Sequence, residues 1–149
     1  MAEELTGGCQ CGRIRYRVAV DQAEAYLCHC KMCRKATGGA SIAFVGVPLA
    51  AITWEGPEPD AYRSSPIAER PFCASCGTPL GFRFTQDAKN MDLTLGSFDD
   101  PSRFVPVHNY AVESALAAWQ DTSHLPGIRS EENVKLTEKW IAAVGKVPG

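Results

Sequence analysis

Seven cysteines fall in three groups along the 149-residue chain. Cys9-Gln-Cys11 lies near the start, Cys28-His-Cys30-Lys-Met-Cys33 follows, and Cys73-Ala-Ser-Cys76 comes well downstream. Zinc prefers tetrahedral sets of sulfur and nitrogen donors, with Zn–S near ~2.3 Å. Residues two apart on an extended chain point the same way, so Cys9 and Cys11 can offer both sulfurs to one ion. Gly7, Gly8 and Gly12 flank this pair and let the backbone bend close to a metal. Cys73 and Cys76 are followed by Gly77, the shape of a zinc-knuckle turn. Pairing Cys9 and Cys11 with Cys73 and Cys76 gives a closed, structural zinc site that clips the N-terminal strand to a distant hairpin. Cys28, Cys30 and Cys33 then stand alone as three thiols. Three protein ligands leave a fourth position for water or substrate, which is the layout of a catalytic zinc. His29 is an alternative fourth ligand, but on an extended segment it alternates away from Cys28 and Cys30. Competing readings are buried small hydrophobes, a redox pair at Cys73 and Cys76, and two structural sites without catalysis.

The rest of the composition narrows the class. Hydrophobic residues are 45% and charged residues 21%, which excludes a disordered or coiled-coil chain. The length suits a single domain over 1–149 that builds its own core. Fifteen basic against seventeen acidic residues give a net charge of −2, without the basic excess that nucleic-acid binding uses. The acidic start Met1-Ala-Glu-Glu-Leu does not resemble a signal peptide, and no apolar run reaches the ~18–20 residues that span a bilayer. A cytoplasmic protein with no membrane partner is expected. In a reducing cytosol, clustered cysteines serve as metal ligands or redox groups rather than disulfides.

Short strands must position the sulfurs. In Arg13-Ile-Arg-Tyr-Arg-Val-Ala-Val20, Ile14, Tyr16, Val18 and Val20 share one face and the arginines the other. Leu80, Phe82 and Phe84 alternate likewise, as do Met91, Leu93 and Leu95. Ser41–Val47 and Ala51–Trp54 are apolar runs bounded by Gly and Pro. These patterns predict antiparallel β-sheets. Helices are expected to be few: a short turn from Cys33 ending at Gly38, one over Glu113 to Trp119, and one over Glu131 to Val144. The last would have Ser130 as N-cap and an apolar side of Val134, Ile141 and Val144 packed on the sheet.

Three stretches carry a family resemblance: Gly7-Gly-Cys-Gln-Cys-Gly-Arg-Ile-Arg-Tyr16, Cys28-His-Cys-Lys-Met-Cys-Arg34, and Phe72-Cys-Ala-Ser-Cys-Gly-Thr-Pro-Leu80. Together they resemble the glutathione-dependent formaldehyde-activating family (the Gfa / centromere protein V family). Tyr62-Arg-Ser-Ser65, Leu95-Gly-Ser-Phe-Asp-Asp-Pro101, His108 and Trp119 fall where that family has similar residues, so the likeness runs from about Leu5 to Pro126. The resemblance implies a mainly β, Mss4-like fold of stacked antiparallel sheets with two zinc ions. It implies a structural zinc on Cys9, Cys11, Cys73 and Cys76 and a catalytic zinc on Cys28, Cys30 and Cys33. It also implies a carbon–sulfur lyase activity that joins formaldehyde and glutathione. The chain departs from the family pattern at Asn109-Tyr-Ala-Val-Glu113 and at Asp121-Thr-Ser-His-Leu-Pro126, segments expected near a substrate pocket.

The chemistry expected of three thiolates on zinc is capture of a soft substrate thiolate. That sulfur then attacks, or leaves from, a one-carbon carbonyl centre. The partner is a small-molecule thiol such as glutathione. Arg34 and Lys35, just after the last ligand, are candidates to offset negative charge, and His108 is a candidate proton shuttle. Glu113 and His124 carry no stronger claim. The alternative class is a non-catalytic zinc module that binds protein or nucleic acid.

Overall fold

A computed structural model of the chain describes residues 2–21 and 24–147. It comprises two compact units, Met1–Leu116 and Ala117–Gly149. The first unit carries ten strands among the described residues: β1 (Glu3–Gly8), β2 (Arg15–Val20), β3 (Ala25–Cys28), β4 (Ile42–Pro48), β5 (Ile52–Glu55), β6 (Asp60–Ser65), β7 (Ala68–Phe72), β8 (Gly81–Phe84), β9 (Asn90–Thr94) and β10 (Pro106–Tyr110). One short helix, α1 (Lys31–Thr37), lies between β3 and β4. The strands form a three-stranded sheet, β1-β2-β5, and a seven-stranded sheet, β10-β3-β4-β9-β8-β7-β6. The mainly β architecture is as expected. One pairing is not: β10 runs parallel to β3, with an irregular register between Pro106 and His108. It reaches the sheet edge after two 3-10 turns, Leu95–Ser97 and Pro101–Arg103, rather than by a hairpin.

The alternation read along β2 places Tyr16, Val18 and Val20 in the core, preceded by the buried Ile14. Arg15 and Arg17 face outward, where Arg15 holds Asp99 at 2.6 Å and Arg17 holds Glu55 at 2.7 Å. Val45 and Val47 of β4 and Met91 and Leu93 of β9 join the same buried cluster. That cluster therefore lies between the two sheets. Full burial of each such side chain contributes about 1.5–3 kcal/mol.

The register leaves the opposite face of the large sheet with a different set. Tyr26 stands opposite Phe44, Gly46 opposite Asp92, Phe82 opposite Asp92, and Ala68 opposite Phe84. Alternation then adds Cys28 and Arg70 to this face. It is this face that carries the cavity described below.

In the second unit, α2 (Val134–Val144) starts later than expected. Asn133, not Ser130, is the N-cap: its side chain accepts from the Leu136 N–H at 3.2 Å. Ser130–Glu132 forms a separate 3-10 turn. Gly145 closes the helix at φ 78°, its N–H donating to the Ile141 carbonyl. No residue of α2 is buried within its unit. The helix expected over Glu113 to Trp119 is replaced by two 3-10 turns, Val112–Ser114 and Ala117–Trp119, the first entered through Ala111 in the left-handed region.

Tyr16 anchors the core of the first unit. Its ring meets Trp54 and Phe98 edge-on at 5.7 and 5.5 Å, and its hydroxyl lies 2.8 Å from Ser97 Oγ. Gly7 pairs with Tyr16, and a Cβ there would fall 2.4 Å from the Tyr16 ring and 2.5 Å from the Ser97 carbonyl. Gly7→Ala is therefore expected to destabilise the fold by about 1–3 kcal/mol in chemical denaturation. Gly96→Ala, which points into open space, is expected to change stability by less than about 0.5 kcal/mol.

Candidate functional site

The turn between β1 and β2 and the turn between β7 and β8 bring four sulfurs together. The Sγ atoms of Cys9, Cys11, Cys73 and Cys76 all lie within 4.8 Å of one another. The Cys9–Cys11 and Cys11–Cys73 separations are 3.5 and 3.8 Å, far from a disulfide bond at ~2.05 Å. Each pair sits on a tight backbone turn. The Gly12 N–H donates to the Cys9 carbonyl at 3.1 Å, and the Gly77 N–H to the Cys73 carbonyl at 2.7 Å. Gly12 and Gly77 adopt φ of 82° and 81°, which side chains disfavour.

Polar groups converge on these sulfurs. The Ile14 N–H donates to Cys9 Sγ at 3.2 Å. Thr78 joins the two turns: its hydroxyl oxygen accepts from the Gln10 N–H at 3.1 Å and lies 3.2 Å from Cys76 Sγ. The Thr78 hydroxyl and N–H, with the Cys11 N–H, hold the Cys76 thiol down to about 5. Arg13 lies beside Cys73 and pairs with Asp60, whose carboxylate also accepts from the Ala74 N–H at 2.9 Å. Four sulfurs met by aimed donors form a set that can hold a thiophilic metal ion.

The second group is built at the end of β3 and the start of α1. The Sγ atoms of Cys28, Cys30 and Cys33 also lie within 4.8 Å of one another. Cys30 is the N-cap of α1, and its sulfur accepts from the Cys33 N–H at 3.3 Å. Gly38 ends the helix at φ 75°, as the sequence predicts. Burial pushes the Cys28 thiol up and the Cys33 thiol up to about 12. At Cys30 burial is outweighed by the Cys33 N–H and the neighbouring thiols, so that thiol is held below its ordinary range. His29 is 1% exposed and is not among the donors gathered within 4.8 Å of one another. Its Nε2 lies 2.8 Å from Asn109 Oδ1, and its backbone N–H donates to the Tyr110 carbonyl at 2.9 Å. His29 thus fastens β3 to β10, and the second group has three donors.

A cavity of about 490 Å³ opens beside Cys28, Cys30 and Cys33. None of the four cysteines of the first group lines it. Its walls include Phe44, Phe82 and Phe84, with Met32 from α1. Its polar members include Arg70, Asp92, Tyr26 and His108. The Tyr26 hydroxyl donates to Asp92 Oδ2 at 3.0 Å, and burial pushes both groups' proton affinities up. Gly46 makes room for this carboxylate: a Cβ there would fall 3.0 Å from Asp92 Oδ1. His108 stacks on Tyr26 with ring centroids 5.2 Å apart and planes at 8°. Arg70 is buried, and its Nη2 donates to Cys33 Sγ at 3.4 Å.

His108, a candidate from sequence, is in the cavity wall, as is Tyr110 from one departing segment. Arg34, Lys35 and Glu113 are not, and His124 belongs to the second unit. The cationic group on Cys33 is Arg70 instead. Sequence reasoning missed Arg70, Tyr26, Asp92 and Thr78. Asp92 had a signal: it interrupts Met91 and Leu93 on the non-core side, which the fold turns into a cavity wall instead of open surface. Thr78→Val, which keeps the shape but removes the hydroxyl, is expected to weaken metal binding by Cys9, Cys11, Cys73 and Cys76 by about 10–100-fold in chelator competition. The three-cysteine group should be unaffected.

Known proteins resemble this chain in sequence and in fold. A relative from Schizosaccharomyces pombe, described as an uncharacterized lyase, is 33% identical over 82 residues. That region is 55% of this chain and 59% of the yeast protein, so the chain spans about three-fifths of that relative. A crystal structure of a Rhodobacter sphaeroides protein superposes with a TM-score of 0.58 at 19% identity, over 70% of this chain and 99% of that one. The family model described as glutathione-dependent formaldehyde-activating enzyme matches residues 4–114. That stretch contains both cysteine groups and every cavity residue named above, and the chain belongs to the glutathione-dependent formaldehyde-activating enzyme family.

Proposed function

We propose that the protein is a zinc-dependent carbon–sulfur lyase-type enzyme acting on the adduct of a small thiol, such as glutathione, with formaldehyde or a related carbonyl compound. The observation that carries the reading is the asymmetry of the two sulfur groups: Cys28, Cys30 and Cys33 line the cavity of about 490 Å³, and none of Cys9, Cys11, Cys73 and Cys76 does. Cys9, Cys11, Cys73 and Cys76 would hold a structural zinc. Cys28, Cys30 and Cys33 would hold the second. The all-sulfur donor sets suit zinc. When bound by three thiolates, that zinc supplies a soft position that favours a substrate sulfur in its thiolate form.

The reaction forms one carbon–sulfur bond between the thiol and the carbonyl carbon, and the thiol proton ends on the new hydroxyl oxygen. The reverse breaks that bond. Asp92 is the group to carry the proton, at Oδ1, because Oδ2 is held by Tyr26 and burial keeps the carboxyl able to protonate. His108, stacked on Tyr26, steadies that ring. Phe44, Phe82 and Phe84 give the cavity an apolar wall beside the sulfurs. A cavity of this size suits a small molecule, and this favours an enzyme over a non-catalytic binding module.

Metal counting and turnover test the proposal together. The native protein is expected to hold two zinc ions per chain and to accelerate formation and cleavage of the glutathione–formaldehyde adduct. Cys28→Ala should lose one zinc and the activity while staying folded. Cys73→Ala should unfold or aggregate, since a structural zinc contributes folding energy directly. One zinc per native chain, with both variants folded, would refute the scheme. Saturating thiol at about 100 times Kd should stabilise the zinc-loaded protein by about 2.7 kcal/mol, and a flat melting response to millimolar glutathione would exclude that thiol.

A further inference from the structure

Arg70 is the one guanidinium or ammonium in the cavity wall, and among the described residues it has no carboxylate partner. It is 9% exposed and takes part in none of the ion pairs found there. The guanidinium is always charged, and a buried charge persists only when something compensates it. Two neighbours do. Its Nη2 donates to Cys33 Sγ at 3.4 Å, and its central carbon lies 5.3 Å from the centre of the Phe82 ring. A ring face supplements an anion but does not replace one.

From this we infer that Arg70 is the counter-charge of the three-cysteine centre, a positioning residue that sets how tightly that centre holds its metal. The inference rests on the reading that Cys28, Cys30 and Cys33 bind zinc. A divalent ion on three thiolates leaves one negative charge in excess, and one buried guanidinium cancels it. The four-cysteine group carries a larger excess, yet its nearby cation, Arg13, is shared with Asp60. That closed group has no vacant ligand position to keep receptive. At the three-cysteine centre the hydrogen bond from Arg70 draws electron density from Cys33, which leaves the open position more receptive to a further thiolate. Arg70 is held for this task by its strand: it alternates with Ala68 on β7, on the face shared with Phe82.

The test compares Arg70→Met, which keeps bulk without charge, with Arg70→Lys, which keeps charge. Zinc-loaded full-length chains are titrated with a chromophoric chelator while circular dichroism follows the fold. In Arg70→Met the more weakly held zinc is expected to come off with about 10–100-fold lower affinity. Arg70→Lys should recover most of that loss, and the tighter zinc should be unchanged in both. If Arg70→Met does not fold, Arg70→Gln takes its place. Unchanged affinity in a folded neutral variant would overturn the inference. So would equal weakening in the neutral and Lys variants, which would mark a packing role. A native chain that binds a single zinc would instead overturn the two-zinc reading beneath it, and the inference with it.

Discussion

Thiolates repel one another, and gathering several of them in a protein interior requires a cation. That constraint shapes the first unit of this chain. Four sulfurs converge from two turns, one between β1 and β2 and one between β7 and β8. The first turn belongs to the small sheet and the second to the large one. A metal ion held by these four sulfurs would cross-link the two sheets beyond the core they share, and would close a chain segment of some sixty residues in the way a disulfide does in an oxidising compartment. Thr78 couples the two turns even without the ion, because one hydroxyl reaches both Gln10 and Cys76.

The large sheet divides its labour by face. Val45, Val47, Met91 and Leu93 point toward the small sheet and are buried there. Phe44, Gly46, Asp92 and Phe82 point the other way, and with Tyr26 and Arg70 they build the cavity beside Cys28, Cys30 and Cys33. Because the side-chain period of a strand is two, a one-residue slip would exchange core for cavity. The rigid core and the site are therefore held in register by the same hydrogen bonds. The parallel strand β10 adds His108 and Tyr110 to this face, and the His29–Asn109 contact pins its position.

What could be read from the sequence follows from range. The cysteine groups were legible because their spacing is local and sulfur in such spacing has few other uses. The core face of β2 was legible because Ile14, Tyr16, Val18 and Val20 alternate without interruption. The pairing of Arg70 with Cys33 was not, since it joins β7 to α1 across the sheet and nothing around Glu69-Arg70-Pro71 marks it. Arg34 and Lys35 looked better placed only because they are near in sequence. The parallel placement of β10 depends on a long connection that alternation does not describe. The start of α2 was misplaced by three residues because Ser130 and Asn133 are both good caps, and local geometry selected Asn133.

In the proposed scheme one sulfur group is closed and the other open. Zinc X-ray absorption on the native protein tests it most directly, because it counts the atoms bound to the metal. Two zinc ions per chain are predicted, with an average of about 3.5 sulfurs at ~2.3 Å and a residual lighter ligand. Adding a thiol substrate should raise the average to about four sulfurs and remove the lighter ligand. An average of four sulfurs before any thiol is added, or one unchanged by it, would overturn the open three-cysteine site.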